Sequence, residues 1–194
     1  PTNRDFIASI GLALGAKDLV NDSGSYLYKS ANTDVLAFAA EARGGRALGQ
    51  WMADLADAAG VEGALHVATD RGGFPLLNGG ICLTARDLCR YGAIFARMGQ
   101  RVDGRPFGST EFIRRTQGSG IRMAPPRQHL SYSNQTNTNG VWLGHGGYGG
   151  QYLVANPDTG RVASFLSVLD DESGYDSAYY PPIIAMLSEI CAGT

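Results

Sequence analysis

The 194-residue chain has little of several things, and each shortage removes a class of function. It has three histidines, His66, His129 and His145, far apart in sequence and with no H-E-x-x-H pattern, so no metal site is expected. It has three cysteines, Cys82, Cys89 and Cys191, an odd number without a C-x-x-C pair. Neither a disulfide framework nor a zinc knuckle follows from them, and packed free thiols are expected, which inclines the reading toward the cytoplasm without fixing the compartment. Its longest apolar run is the six residues Val35 to Ala40, against the roughly 18 needed to span a bilayer. No membrane association is expected, and the opening PTNRDFIASI lacks the features of a secretory signal. A net charge of −2, with the arginines scattered, supplies no phosphate-binding patch, so nucleic acid is not expected as a partner. No G-K-[ST] follows a glycine loop and no serine stands in G-x-S-x-G. No cofactor is expected.

What is present is a 44% hydrophobic content, enough for a core, and a change of pattern along the chain. Residues 5 to 14 read as a short helix, followed by turn residues from Gly15 to Tyr26. SANTDVLAFAAEARGG starts with side chains suited to capping and stops at Gly44 and Gly45, which predicts a helix entered from a loop ending at Tyr28. Leu48, Trp51, Met52, Leu55 and Ala59 make the stripe of a further helix, with Gly60 as its C-cap. Thr84 and Asp87 resemble a capping box, ahead of an apolar face formed by Leu88, Tyr91, Ile94, Phe95 and Met98. After a polar stretch, Ser131 to Asn139, read as a loop, the pattern becomes extended. VWL, QYLVANP and RVASFLSVL are strand candidates, NPDTG is a turn, and PPIIAMLSEICA is a closing helix. The expectation is an α+β fold: a mostly helical region over residues 1–139, then antiparallel strands and a C-terminal helix over 140–194.

Two short patterns carry chemistry. Tyr28, Lys29 and Ser30 stand just before a helix, and His145, Gly146 and Gly147 lie on a strand. Together with YKSANTDVLAF, NGGICLTARDLCRYG and HGGYGGQYLVANPDTG, they resemble the second and third motifs of the serine hydrolases related to β-lactamases and penicillin-binding proteins. The likeness is nearest to the branch of 6-aminohexanoate-dimer hydrolases and family VIII esterases, and it runs from about Tyr28 to the end. YSN at Tyr132, Ser133 and Asn134 fits the literal tyrosine motif better, but QTNTNG after it cannot start a helix, so it reads as a loop at a pocket rim.

The resemblance implies a β-lactamase/transpeptidase-like fold and an acyl-enzyme mechanism. Such chemistry needs a serine nucleophile, a lysine to activate it, a tyrosine to relay the proton and main-chain N–H groups aimed at the oxyanion. By the resemblance, Tyr28 is the tyrosine, and the main-chain N–H of Tyr148, the residue after H-x-G, is an oxyanion donor. Ser30 orients the substrate carbonyl, His145 supplies the polar group of the strand, and Gly146 and Gly147 let an extended substrate approach. The implied substrate is a small amide or ester, with 6-aminohexanoate-type linear amides as one candidate. The first motif, S-x-x-K, is not here: three residues before Lys17 stands Leu14, and three before Lys29 stands Tyr26. The expectation is therefore a C-terminal portion, partnered by an N-terminal segment of the same enzyme that brings Ser and Lys. The alternative is a noncatalytic ligand-binding module or an inactive fragment.

Overall fold

The computed structural model describes residues 2–14, 28–169, 176 and 178–193, with only the backbone described for 10–14. The turn expected from Gly15 to Tyr26 lies outside them. In chain order the helices are α1 (Asn3–Leu14), α2 (Ser30–Gly44), α3 (Leu48–Ala59), α4 (Ala85–Ala96), α5 (Thr110–Gly118) and α6 (Tyr180–Ala192). A two-stranded ribbon, β1 (His66–Val67) with β2 (Ile81–Cys82), precedes α4. The six-stranded antiparallel sheet follows: β3 (Ile121–Arg122), β4 (Ser131–Ser133), β5 (Thr136–Thr138), β6 (Leu143–Gly147), β7 (Gln151–Asn156) and β8 (Arg161–Phe165), in that spatial order.

Helix ends fall where the residue chemistry puts them. Gly45 and Gly60, at φ 61° and 75°, cap α2 and α3 in the left-handed conformation that glycine adopts without a Cβ clash. Thr84 Oγ1 accepts from the Asp87 N–H at 3.1 Å, the expected cap of α4. The Asp87 carboxylate then turns outward from its helix and accepts from the main-chain N–H groups of Glu62 and Gly63, both at 3.1 Å, and from Arg90 at 2.7 Å. One acidic residue thus ties α4 to the chain leaving α3. These bonds, led by that from Glu62, hold its pKa down at about 2.

The core forms around β7, whose Tyr152, Leu153, Val154 and Ala155 are all buried because both sheet faces are covered. Tyr152 and Val154 join Trp142, Tyr180, Ile184, Leu187 and Cys191 under α6. On the opposite face Leu153 meets α4 at Gly92, where a Cβ would come within 2.8 Å of Leu153 Cδ1 and 2.7 Å of Val162 Cγ1. A helical glycine costs about 1 kcal/mol in propensity; here it lets the helix axis approach the sheet. The NPDTG turn forms as expected. Asn156 Oδ1 accepts from the Asp158 N–H at 2.9 Å, and Thr159 Oγ1 donates to the Cys191 carbonyl at 2.6 Å, closing the last turn of α6.

Two expectations need correction. Ser131 to Asn139 is no loop: Tyr132 pairs with Asn137 and Ser133 with Thr136, joined through Asn134 and Gln135 at φ 46° and 63°. Two successive left-handed residues make the two-residue turn that matches strand twist. Polarity hid the hairpin, because its buried positions are Ser133, Thr136 and Thr138, satisfied by hydrogen bonds, to the α5 end for Ser133 and Thr138 and to the Asn134 carbonyl for Thr136, rather than by apolar packing. Thr138 donates to the Gln117 carbonyl at 2.9 Å, and Ser133 Oγ lies 3.1 Å from Ser119 Oγ. The sheet therefore runs unbroken from β5 to β6, across the point between residues 139 and 140. Helix α5 gave no apolar stripe, and its start is marked by Ser109 accepting from the Phe112 N–H. Of the thiols, all free, Cys191 is buried and Cys89 half-buried, but Cys82 is exposed on β2.

Candidate functional site

Tyr28 and Lys29 precede α2, Lys29 in extended conformation, and Ser30 is the first helical residue. No side chain caps this end, so the run of Ser, Asn and Thr serves other contacts. Thr33 donates to Gln135 Oε1 at 2.9 Å, and the Tyr132 hydroxyl donates to the same oxygen at 3.0 Å. One amide at the hairpin tip thus fastens α2 to β4. Tyr28, 49% exposed, meets Tyr132 edge to face at 6.3 Å between ring centroids. The YSN segment set aside as a rim is therefore the neighbour of the YKS tyrosine. Tyr132 pairs with Asn137, and Asn137 with Gly144, so Tyr132 lies level with the start of the H-G-G segment, two strands across. At about 4.8 Å between strands, that places the two main chains about 10 Å apart.

One turn into α2, Asp34 is 1% exposed and accepts from the Asn78 amide at 2.6 Å. Its other oxygen, Oδ1, is sealed without a partner among the described residues.

On β6, His145 pairs with Leu153 of β7 and so faces α4. Its Nε2 lies 3.2 Å from the Tyr91 hydroxyl, and Phe95 meets the imidazole edge to face at 6.0 Å. Burial pushes His145 down to about 4 and Tyr91 up to about 12, so both are neutral at physiological pH. Gly146 and Gly147 continue the ladder as far as the Gly147–Gln151 pair. The chain then reverses through Tyr148, Gly149 and Gly150, the two glycines at φ 72° and 84°. Tyr148 exposes 71% of its surface, and its main-chain N–H lies outside the β6–β7 ladder.

Gln151 holds this turn in place. Its Nε2 donates to the carbonyls of Gly149, at 3.2 Å, and Ser167, while its Oε1 accepts from the Ser167 N–H at 3.1 Å. The side chain thereby extends the sheet by one rung, and the Leu169 N–H adds a bond to the Gly149 carbonyl at 3.3 Å.

Gln151, Gln135, Asp34 and the hydroxyl of Tyr91 were not singled out from sequence. Tyr91 stands at an apolar-face position of α4, where an aromatic reads as core, while Gln151 acts on the main chain of Gly149 and Ser167 and Gln135 on the hydroxyls of Thr33 and Tyr132. No group of three or more His, Cys, Asp or Glu side chains suited to a metal occurs among the described residues. Nor is any helix among them long and apolar enough to cross a membrane.

The sequence model of the family described as Beta-lactamase matches residues 13–180, spanning α2 and every strand. The chain belongs to the β-lactamase family. In this family of β-lactamase-fold serine hydrolases, the helices and antiparallel sheet above are the expected α+β architecture. The fold is also similar to the solved structure named "Putative 6-aminohexanoate-dimer hydrolase from Bacillus anthracis", with a TM-score of 0.67 and 19% identity. That likeness covers 90% of this chain and 47% of the other, so the β-lactamase-family chain spans about half the length of its structural neighbour. No curated protein sequence matches it.

Proposed function

We propose that this chain supplies the tyrosine and glycine-strand half of a serine hydrolase that cleaves small amides or esters, 6-aminohexanoate-type linear amides among them. The carrying observation is the β6–β7 turn. A strand bearing His145, Gly146 and Gly147 runs into a reversal clamped by Gln151, with the Tyr148 N–H beyond the last rung of the ladder. The family supports the reaction class, and the name of the structural neighbour supports the amide.

A serine of a Ser-x-x-Lys motif, on a segment of the enzyme outside these 194 residues, attacks the substrate carbonyl. A carbon–oxygen bond forms, and the oxyanion takes its hydrogen bond from the Tyr148 N–H. The lysine and Tyr28 take up the serine proton and pass it to the departing amine or alcohol as the carbon–nitrogen or carbon–oxygen bond breaks. Water then cleaves the acyl-enzyme by the same route in reverse. Ser30 and the Gly146–Gly147 main chain orient the substrate. β8 ends the sheet among the described residues, an edge able to receive a strand of that segment.

The reading is tested by steady-state hydrolysis of a 4-nitrophenyl ester and of the linear 6-aminohexanoate dimer, by this chain together with its serine-bearing segment. Tyr28→Phe is expected to lower kcat by about 100-fold or more, the scale of a lost proton-transfer group. Hydrolysis at the full rate in Tyr28→Phe contradicts the assignment.

A further inference from the structure

Helix α4 delivers one polar group to the imidazole of β6, the Tyr91 hydroxyl, 3.2 Å from His145 Nε2. Two apolar side chains stand by the same ring, Phe95 on α4 and Leu153 across the β6–β7 ladder. The lowered pKa of His145 has burial as its cause, and no charged group among the described residues contributes to it. The phenol keeps its proton, and a phenol proton in such a setting needs an acceptor. Among the described residues the hydroxyl of Tyr91 has His145 Nε2 as its partner and no other. If Nε2 carried the imidazole proton, it would donate to the phenol oxygen and leave the phenol proton without an acceptor. With the proton on Nδ1, the better donor faces the better acceptor and both groups are satisfied.

We propose that Tyr91 is a positioning residue that locks His145 in the Nδ1–H tautomer, so that β6 offers a neutral N–H donor beside the H-G-G main chain. Nδ1 has no partner among the described residues and is not one of their sealed polar atoms, which leaves it open to a ligand. A neutral donor suits an uncharged acceptor such as an amide or ester carbonyl. A carboxylate placed there would lose water without gaining a countercharge. This choice of ligand rests on the hydrolase reading; the tautomer lock does not.

Long-range proton–nitrogen correlation spectra of the nitrogen-15-labelled protein at pH 7 read the tautomer directly. His66 and His129 are exposed, so the double variant His66→Gln/His129→Gln leaves His145 as the single imidazole. The expected spectrum shows a protonated Nδ1 and an unprotonated Nε2, and Tyr91→Phe is expected to move the proton to Nε2. Phe95→Leu, which alters the packing but keeps the hydroxyl, is expected to retain Nδ1–H. If Tyr91→Phe does not fold, the wild-type and Phe95→Leu spectra carry the test. An Nε2–H ring or an imidazolium in the wild type, or an unchanged tautomer in folded Tyr91→Phe, overturns the proposal. None of these spectra depends on hydrolysis, so a failed hydrolase reading and a failed tautomer lock are told apart.

Discussion

The two ends of the sheet are held by opposite physics. At β7 and β8 the sheet is sandwiched between α4 and α6 by Leu153, Val154, Tyr152, Ile184 and Leu187, and stability comes from apolar area removed from water. At β4 and β5 the buried positions are Ser133, Thr136 and Thr138, and the hairpin is fastened to α2 and α5 by single hydrogen bonds through Gln135, Thr138 and Asn134. The candidate site draws on both: His145 belongs to the apolar end, and Tyr28 leans on the polar one through Tyr132. Apolar packing tolerates no gaps, whereas a polar fastening fixes direction at small net energy. The strand is thus set by the core, and the tyrosine by a few replaceable bonds.

The largest effect is expected at the apolar end. Leu153→Ala removes a side chain wedged between β7 and α4 and is expected to cost about 3 kcal/mol, as buried leucine truncations do. Urea denaturation checks it, as a lower midpoint at an unchanged slope. Thr84→Ala is next, at about 1 kcal/mol for a lost cap. The comparison sharpens with pH. Asp87 is depressed from 3.8 to about 2, so its stabilisation is whole above about pH 4 and is lost as the pH falls toward 2. Asp87→Asn is expected to flatten the thermal midpoint over that window alone.

His145 acts in a different window. Its folded pKa, about 4, lies below the ordinary 6.5, so between those values the unfolded chain binds more protons than the folded one. Stability is therefore whole above about pH 6.5 and falls as the pH is lowered toward 4. In His145→Gln this slope is expected to vanish while the Asp87 window remains. An effect on stability as small as that of Thr84→Ala is expected at the polar end, where Gln135→Ala costs about 1 kcal/mol, the net worth of ordinary hydrogen bonds. It should nonetheless free Tyr132 and Tyr28, visible as sharper tyrosine ring signals in NMR.

Much of the apolar half was legible in the sequence. The α3 stripe, the Thr84 cap, the NPDTG turn and the closing helix rest on periodicity and on local residue chemistry. The β4–β5 hairpin was not legible, because strand recognition depends on apolar alternation and its inward positions are hydroxyls, paired with the α5 end at Ser133 and Thr138 and with the hairpin's own turn at Thr136. The same limit applies around the candidate site. Tyr28 and His145 stood out through their short motifs, but Gln135 meets Thr33, Gln151 meets Ser167 and the Tyr91 hydroxyl meets His145 across 102, 16 and 54 residues of chain that no local pattern connects. A tyrosine on an apolar helix face gives no sign in sequence that its hydroxyl, rather than its ring, is what the neighbouring strand uses.

In the proposed function, Tyr28, His145 and the Tyr148 turn serve a serine nucleophile carried on another segment of the same enzyme. The most direct test is denaturing mass spectrometry of the enzyme that contains this chain, after incubation with a fluorophosphonate probe. One adduct is expected, on the serine of a Ser-x-x-Lys motif outside these 194 residues, with labelling slowed in Tyr28→Phe. An enzyme left unlabelled, or labelled on a serine within this chain, would contradict the proposal.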